Sequence, residues 1–512
     1  MTDSAWFLGI DLGTGSCKSV VITENADILG FGVGEYTGSN AHNRWQEQNP
    51  RELVQAAITS VRNAVIRAEV ESDQCAGLSI GGALHSLVAL DRSGEPLTGV
   101  ITWADGRAVE QAEVVRGQPL SARLYEQTGC PTHGMYPLYK IMWLRENRPE
   151  VFQKAWRYVT AKEYVFACLT GEYRVDYCLA AGSGLLNTHS LIWEPLCLDA
   201  AGIRRDQLSE PAAPQTVQNG LDLEMARQMG IHSDVPVVLG SSDAANSNLG
   251  AGAVQPWQAT CMVGTSGAFR VLCPQPILDR QIRSWCYVVD ETHWLVGGAI
   301  NNGGVALSWL RDCLNQARPD SVADDLSFED VLALASRSPA GSGGVICLPL
   351  FAGERSPHWN LNARAVFFGM SLSHGISHLS RALVEGIAFR FKSLSDVMAE
   401  VGVEVRQVVA SGGFTQSGFW LQVVTDVLNR ELVVPPWGET SCLGAAFWAM
   451  VGTGCIANLE GLSHFVKPGQ SCLPGMENAA LYKRIYPLYK KLYRSVSGNF
   501  EDIARLQQEI GV

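Results

Sequence analysis

Residues 6–22 read WFLGIDLGTGSCKSVVI. Two apolar, strand-like runs flank a turn made of Gly13, Thr14, Gly15 and Ser16, with Asp11 at the end of the first run and Lys18 in the second. The pattern predicts a β-hairpin whose turn exposes backbone N–H groups and hydroxyls on one side, a concavity suited to phosphate oxygens. Glycine is favoured where backbone approaches an anion closely. Lys18 adds positive charge, and Asp11 is the kind of carboxylate that holds hydrated Mg²⁺ beside substrate phosphates. The stretch is not a P-loop: Gly-Lys-Ser/Thr is absent and no helix is predicted to start there. An ordinary hairpin with a glycine loop fits this one stretch equally well.

A second stretch shifts that balance. Residues 259–272, ATCMVGTSGAFRVL, repeat the order of apolar strand, Gly-Thr, small residues and apolar strand about half a chain later. Gly264 and Thr265 stand where Gly13 and Thr14 stood, and Met262 replaces Asp11. Two phosphate-contacting hairpins need only one metal carboxylate, so the asymmetry is what a nucleotide held by duplicated halves would produce. The boundary is placed in the small-residue stretch NSNLGAGAVQPW, giving halves 1–248 and 249–512.

Between these landmarks, strand-like and helical patterns alternate. Leu53–Val70 has helical apolar spacing, as do Leu379–Met398 and Phe419–Leu428. Cys75–Ile80, Leu87–Leu90, Val235–Leu239 and Val408–Ser411 read as strands. Leu481–Leu506 reads as a C-terminal helical tail interrupted at Pro487 and near Gly498. This mixture predicts an α/β fold with covered sheets.

The bulk numbers bound the function. Among 512 residues, 46% are hydrophobic and 18% charged, as in ordinary globular proteins. The net charge of −12, without a basic block, argues against nucleic acid as a partner. No signal peptide or membrane span is expected; Leu443–Leu459 reads as a buried helix and its exit loop. Fourteen cysteines are scattered without a Cys-x-x-Cys pair, which predicts reduced thiols and a cytoplasmic protein.

DLGTGSCK, with MYPLYKIMWLREN (135–147), SGGFTQSGFWLQVVTDVLNREL (411–432) and ETSCLGAAFWA (439–449), resembles the FGGY family of carbohydrate kinases. That family belongs to the actin and hexokinase-like ATPase superfamily. Gly15 departs from the pattern, standing where a second threonine is common. The resemblance implies two actin/hexokinase-like (ribonuclease H-like) α/β domains with an interdomain cleft that closes on its substrates. It also implies ATP and Mg²⁺ as cofactors, and a homodimer is the assembly carried from the family. ALHSL (83–87), TWADGR (102–107), GGAINNGGVALSW (297–309) and GERSPHWN (353–360) resemble the gluconate kinases of the family, and xylulose kinases are similar over the same stretches.

Site expectations follow residue by residue. Asp243, in VPVVLGSSDAAN, falls where the family has its catalytic aspartate and would accept the hydroxyl proton. Its bland reading is a helix N-cap. His85, Trp103, Asp105 and Asp243 are the candidate sugar contacts, with Arg107 orienting Asp105 or meeting a substrate carboxylate. Asp11, Thr14, Gly15, Ser16 and Lys18 are expected at the phosphates and metal, Gly264 and Thr265 opposite them, and Gly304, Gly412 and Gly413 along the adenosine. Glu354 and Arg355 could form a catalytic pair, but read rather as a fixed ion pair or a helix-side brace. The leading reaction is phosphorylation of D-gluconate to 6-phospho-D-gluconate. A xylulose or other sugar or polyol kinase is the alternative within the family. The alternative of another class is a non-catalytic, ATP-dependent conformational protein of the actin type.

Overall fold

The opening stretch folds as an antiparallel hairpin of β1 (Trp6–Leu12) and β2 (Ser16–Thr23), continued by β3 (Ile28–Glu35). A computed structural model describes residues 5–39, 45–318, 324–467 and 469–511. Trp6, Phe7, Leu8, Ile10 and Leu12 of β1 are almost wholly buried, each worth about 1.5–3 kcal/mol relative to exposure. An apolar run of this density marks a strand covered on both faces.

The chain divides into two units. The first takes Met1–Gln255, Leu272–Val296 and Glu439–Lys467, and the second takes Pro256–Val271, Gly297–Gly438 and Pro468–Val512. In the first, the sheet runs Val217–Asn219, Pro236–Val238, Cys75–Gly82, β1, β2, β3. β1, Cys75–Gly82 and Pro236–Val238 lie parallel. Asp11 at the end of β1 is in register with Gly81, and the neighbouring Gly82 bridges Ser242. The carboxyl ends of three parallel strands therefore come level, the usual place for a ligand crevice in an α/β sheet.

α1 (Pro50–Ala68) covers β2 and β3. Asn49 caps it by accepting from the Arg51 N–H, and Pro50 opens its first turn. Leu53, Val61 and Val65 of α1 join Leu8, Leu78 and Val237 in one core. The helix Thr440–Gly452 returns to this unit and packs on β1 and on the helix Asp243–Gly250. Gly9 makes that approach possible: a Cβ there would lie 2.1 Å from the Cys442 carbonyl oxygen. The start of the Thr440–Gly452 helix is thus brought to the carboxyl end of β1.

The second unit's sheet includes, in order, Gln258–Val263, Gln407–Ser411, Leu432–Val434 and Gln470–Cys472. Gln258–Val263 and Gly267–Cys273 form the second hairpin. The helix Ile376–Glu400 is buried along most of its length. Pro487 does not interrupt the C-terminal helix, which runs from Met476 to Val496. Tyr482, Tyr486 and Tyr489 pack around Phe389, and this packing outweighs the backbone hydrogen bond that Pro487 cannot make. The break falls only at Ser497–Asn499. Among the described residues no helix is long and apolar enough to cross a membrane, and no disulfide is formed.

Candidate active site

In the first unit the Gly13–Ser16 turn is braced from outside. Gln48 Nε2 donates to the Thr14 carbonyl at 2.6 Å, and the Tyr36 hydroxyl donates to the Gly13 carbonyl. Thr14 and Gly15 are exposed at the tip. Lys18 is the register partner of Asp11, but its ammonium is held by both Glu439 oxygens at 2.8 Å. Glu439 and Ser441 were not singled out from sequence. They reach Asp11 only because the Thr440–Gly452 helix folds back onto β1.

Asp243 is the first residue of its helix. Ser242 is the cap, its Oγ accepting from the Ala245 N–H, so Asp243 is not needed for that role. Asp243 Oδ1 accepts from the Ala244 N–H at 2.8 Å, and Ser441 Oγ donates to the Asp243 carbonyl at 3.4 Å. Burial, then the negative charge of Asp243, raise the Asp11 carboxyl to about 7; Ser441 and Lys18 pull it down, and Glu439 adds to the rise. Strand end and helix start thus place two carboxyl groups within one electrostatic field.

Beyond Cys75–Gly82 the chain turns sharply, and His85 adopts a left-handed backbone (φ 67°) uncommon for a residue with a side chain. Its Nδ1 lies 2.6 Å from the Gly182 carbonyl. A carbonyl only accepts, so Nδ1 carries the proton and Nε2 is the acceptor in the neutral ring. The Tyr136 and Tyr287 rings meet the imidazole edge-on at 4.9 and 5.7 Å. The Trp103 indole N–H donates to Thr14 Oγ1 at 3.3 Å, joining the TWADGR turn to the Gly13–Ser16 turn. Asp105 is buried and receives the Gln46 N–H together with Arg107. Arg107 also pairs with Glu47 at 2.6 Å and lies over the Trp45 and Trp143 rings. Arg107 therefore orients Asp105, one of the two roles expected of it.

In the second unit a cavity of about 570 Å³, within the ordinary range for small-molecule sites, is lined by Gly264, Thr265, Gly304 and Gly413. Gly303 and Val305 N–H donate to the Thr265 carbonyl, and Gly304 N–H to the Gly264 carbonyl at 2.7 Å, so the second hairpin is tied to the NNGG turn. Gly412 is not among the lining residues; its backbone (φ 93°) passes so close to Val263 that a Cβ would lie 2.4 Å from the carbonyl oxygen. Sequence reasoning missed the apolar walls, Phe328, Leu332, Phe414 and Trp420. Phe414 and Trp420 lie inside the quoted 411–432 motif and Phe328 and Leu332 on the amphipathic helix Phe328–Ser336, but neither stretch reads as a cavity wall.

Of the readings open for Glu354 and Arg355, the brace to a helix fits: Glu354 reaches an arginine of the Ile376–Glu400 helix, and the Arg355 backbone N–H donates to Glu354 Oε1 at 2.8 Å. Glu354 is buried against Arg390 at 2.7 Å, while Arg355 donates to Asn301 Oδ1 and the Ile300 carbonyl. Arg390 projects from the Ile376–Glu400 helix and offers a fully buried partner.

The N-terminal domain of the FGGY family of carbohydrate kinases matches residues 6–250, and the C-terminal domain of the same family matches residues 259–453. The chain belongs to this family: it is a carbohydrate kinase, a phosphotransferase that uses ATP. It is 35% identical to the gluconokinase of Bacillus licheniformis over 99% of both chains. Two solved structures from Lactobacillus acidophilus are each 30% identical over 98% of this chain and 100% of theirs, a gluconate kinase (TM-score 0.92) and a ligand-bound xylulose kinase (TM-score 0.91). The two-domain actin/hexokinase-like fold is thereby shown.

Kinase chemistry calls for Mg²⁺ with the nucleotide, and the first unit fits such an ion. Asp11 Oδ1 is buried without a hydrogen-bond partner, in the field of Asp243 and Glu439. Among the described residues no cluster of three or more His, Cys, Asp or Glu is set to hold a metal alone. Mg²⁺ does not require one, since one or two carboxylates with phosphates and waters complete its shell.

Proposed function

We propose that this carbohydrate kinase transfers the γ-phosphoryl group of ATP to a hydroxyl of D-gluconate, giving 6-phospho-D-gluconate. The observation that carries gluconate over other sugars is the 35% identity to a gluconokinase across nearly all of both chains.

Asp243 accepts the proton of the attacking hydroxyl. It stands at the start of its helix, beside the carboxyl end of Pro236–Val238, with capping left to Ser242. His85 Nε2 takes a sugar hydroxyl, held in that tautomer by the Gly182 carbonyl. Trp103 supplies an apolar face, and Asp105, fixed by Arg107, a hydroxyl acceptor. The turn residues Thr14, Gly15 and Ser16, with Lys18, meet phosphate oxygens. Glu439 holds the Lys18 ammonium at 2.8 Å. Asp11 would hold Mg²⁺, which when bound neutralises charge on the phosphates. The second unit's cavity takes the nucleoside, with Gly413 and Gly304 against it and Gly264 and Thr265 toward the phosphates. Fourteen cysteines outside any disulfide, most of them buried, support a reducing compartment, the cytoplasm.

The second reading, a xylulose or polyol kinase, is favoured by the equal identity and near-equal fit of the xylulose kinase structure. A panel of gluconate, xylulose, glycerol and related sugars, read by ADP release with Mg·ATP, separates the two. The proposal expects gluconate to give the highest kcat/KM. A higher value for xylulose or a polyol overturns it, and no sugar-stimulated ADP release at all would return the non-catalytic reading.

A further inference from the structure

The geometry points to Lys140 as a positioning residue that fixes two segments of the acceptor-sugar site, the His85 turn and the Thr102–Trp103 turn, through its ammonium group. This inference rests on the reading of His85 and Trp103 as sugar contacts.

Lys140 lies on the helix Pro137–Asn147 and is fully buried. Its Nζ donates to the His85 carbonyl at 2.6 Å, the Thr102 carbonyl at 2.7 Å and the Ile101 carbonyl at 3.3 Å. An ammonium has three donors, and three backbone carbonyls receive them. Among the described residues no carboxylate is bonded to it; Asp105 acts on it only through its field, opposed by Arg107. Burying a cation in this way is expensive, and an apolar side chain of similar volume would often serve stability as well or better. The charge is therefore placed for what it organises.

What it organises are two turns from separate parts of the chain. One carries His85, whose left-handed backbone is of the kind that persists only where its surroundings over-determine it. The other leads directly into Trp103 and, two residues on, Asp105. Backbone pairings, Leu87 with Ile101 and Leu90 with Pro96, already join the segments behind them. Lys140 adds the link at the turns themselves, where the sugar-facing side chains emerge. Removing the three donors leaves the His85 and Thr102 carbonyls to relax, and the imidazole and indole move with them.

The test compares Lys140→Met, Lys140→Gln, His85→Ala and a control core truncation far from the site, Val61→Ala, in the full-length protein. For Lys140→Met we expect KM for gluconate to rise about tenfold or more, the loss typical of a removed charged hydrogen bond, with KM for ATP within about twofold. Lys140→Gln, which keeps an amide donor, should fall between Lys140→Met and the parent. Gluconate should also lose its stabilising shift in Tm for Lys140→Met, while ADP keeps its own. Val61→Ala should lower Tm without changing either KM. A Lys140→Met protein whose KM for gluconate is unchanged, or whose two KM values rise together, overturns the positioning role. If Lys140→Met does not fold, Lys140→Gln decides by the same two criteria. An unchanged KM for gluconate in His85→Ala would instead remove the acceptor-site reading, and the present inference with it.

Discussion

Asp11 is the next-to-last residue of β1 and Asp243 opens the helix Asp243–Gly250, and the charge of Asp243 reinforces burial in raising the Asp11 carboxyl to about 7. The folded-state value lies above that of an unfolded aspartate, near 3.9. Between about pH 4 and 7 the native state holds a proton that the unfolded chain has lost. The stability linked to Asp11 is therefore present below about pH 4 and lost as pH rises through about 7. A tenfold difference in proton affinity between the folded and unfolded chain corresponds to about 1.4 kcal/mol. Asp11→Asn should raise the Tm of the ligand-free protein near pH 8, by about 2–4 °C for each kcal/mol recovered, and by much less near pH 5. It should also abolish the extra stabilisation that Mg²⁺ gives to bound ADP. Thermal unfolding at the two pH values checks both; equal Tm changes at both would remove the linkage.

Two adjacent glycines should separate fold from function. Gly412 is held against Val263 at positive φ, whereas a Cβ on Gly413 meets nothing within 4 Å. Gly412→Ala is expected to lower Tm by several degrees, because the carbonyl contact must open. Gly413→Ala should leave Tm within about 2 °C, since surface changes of this kind cost little. Because Gly413 lines the cavity, its new methyl should raise KM for ATP and not for the sugar. Calorimetry and steady-state kinetics on the pair would show it, and the opposite pattern would displace the nucleoside from this cavity.

Glu354 and Arg390 form an ion pair with almost no exposure of either side chain. Removing one partner of such a pair costs about 3–5 kcal/mol by stranding the other. Glu354→Ala is thus expected to lower Tm sharply, while the folded fraction keeps near-parental kcat. Active-site titration alongside denaturant unfolding distinguishes this from a catalytic defect, which would reduce kcat with stability intact.

Much of this arrangement was legible because it is written locally. The turn chemistry of Gly13–Ser16 and Gly264–Gly267 marked both hairpins, and the spacing from Leu53 marked α1, which Asn49 and Pro50 extend by a turn at its start. What sequence hid depended on distant partners. Glu439 meets Lys18 across most of the chain, and nothing near either residue announces the other. Arg355, next to Glu354, was the natural partner by proximity, yet Arg390 is the one that packing delivers. Pro487 broke the local rule, and a cluster of tyrosines on Phe389 overrode it. Arg107 was readable as a partner of Asp105 two residues away, but Glu47, which pairs with the same guanidinium, appeared only with the fold.

The central claim is that Asp243 takes the proton from the sugar hydroxyl while other groups bind the substrates. Asp243→Asn keeps the size of the side chain and removes its basicity. One measurement on that variant is decisive: single-turnover phosphorylation of gluconate, with gluconate and ADP binding followed in the same preparation by their Tm shifts. The account predicts near-parental binding and a rate reduced about 10²–10⁴-fold, the usual worth of a positioned general base. A rate within a few-fold of the parent, with binding intact, would contradict it.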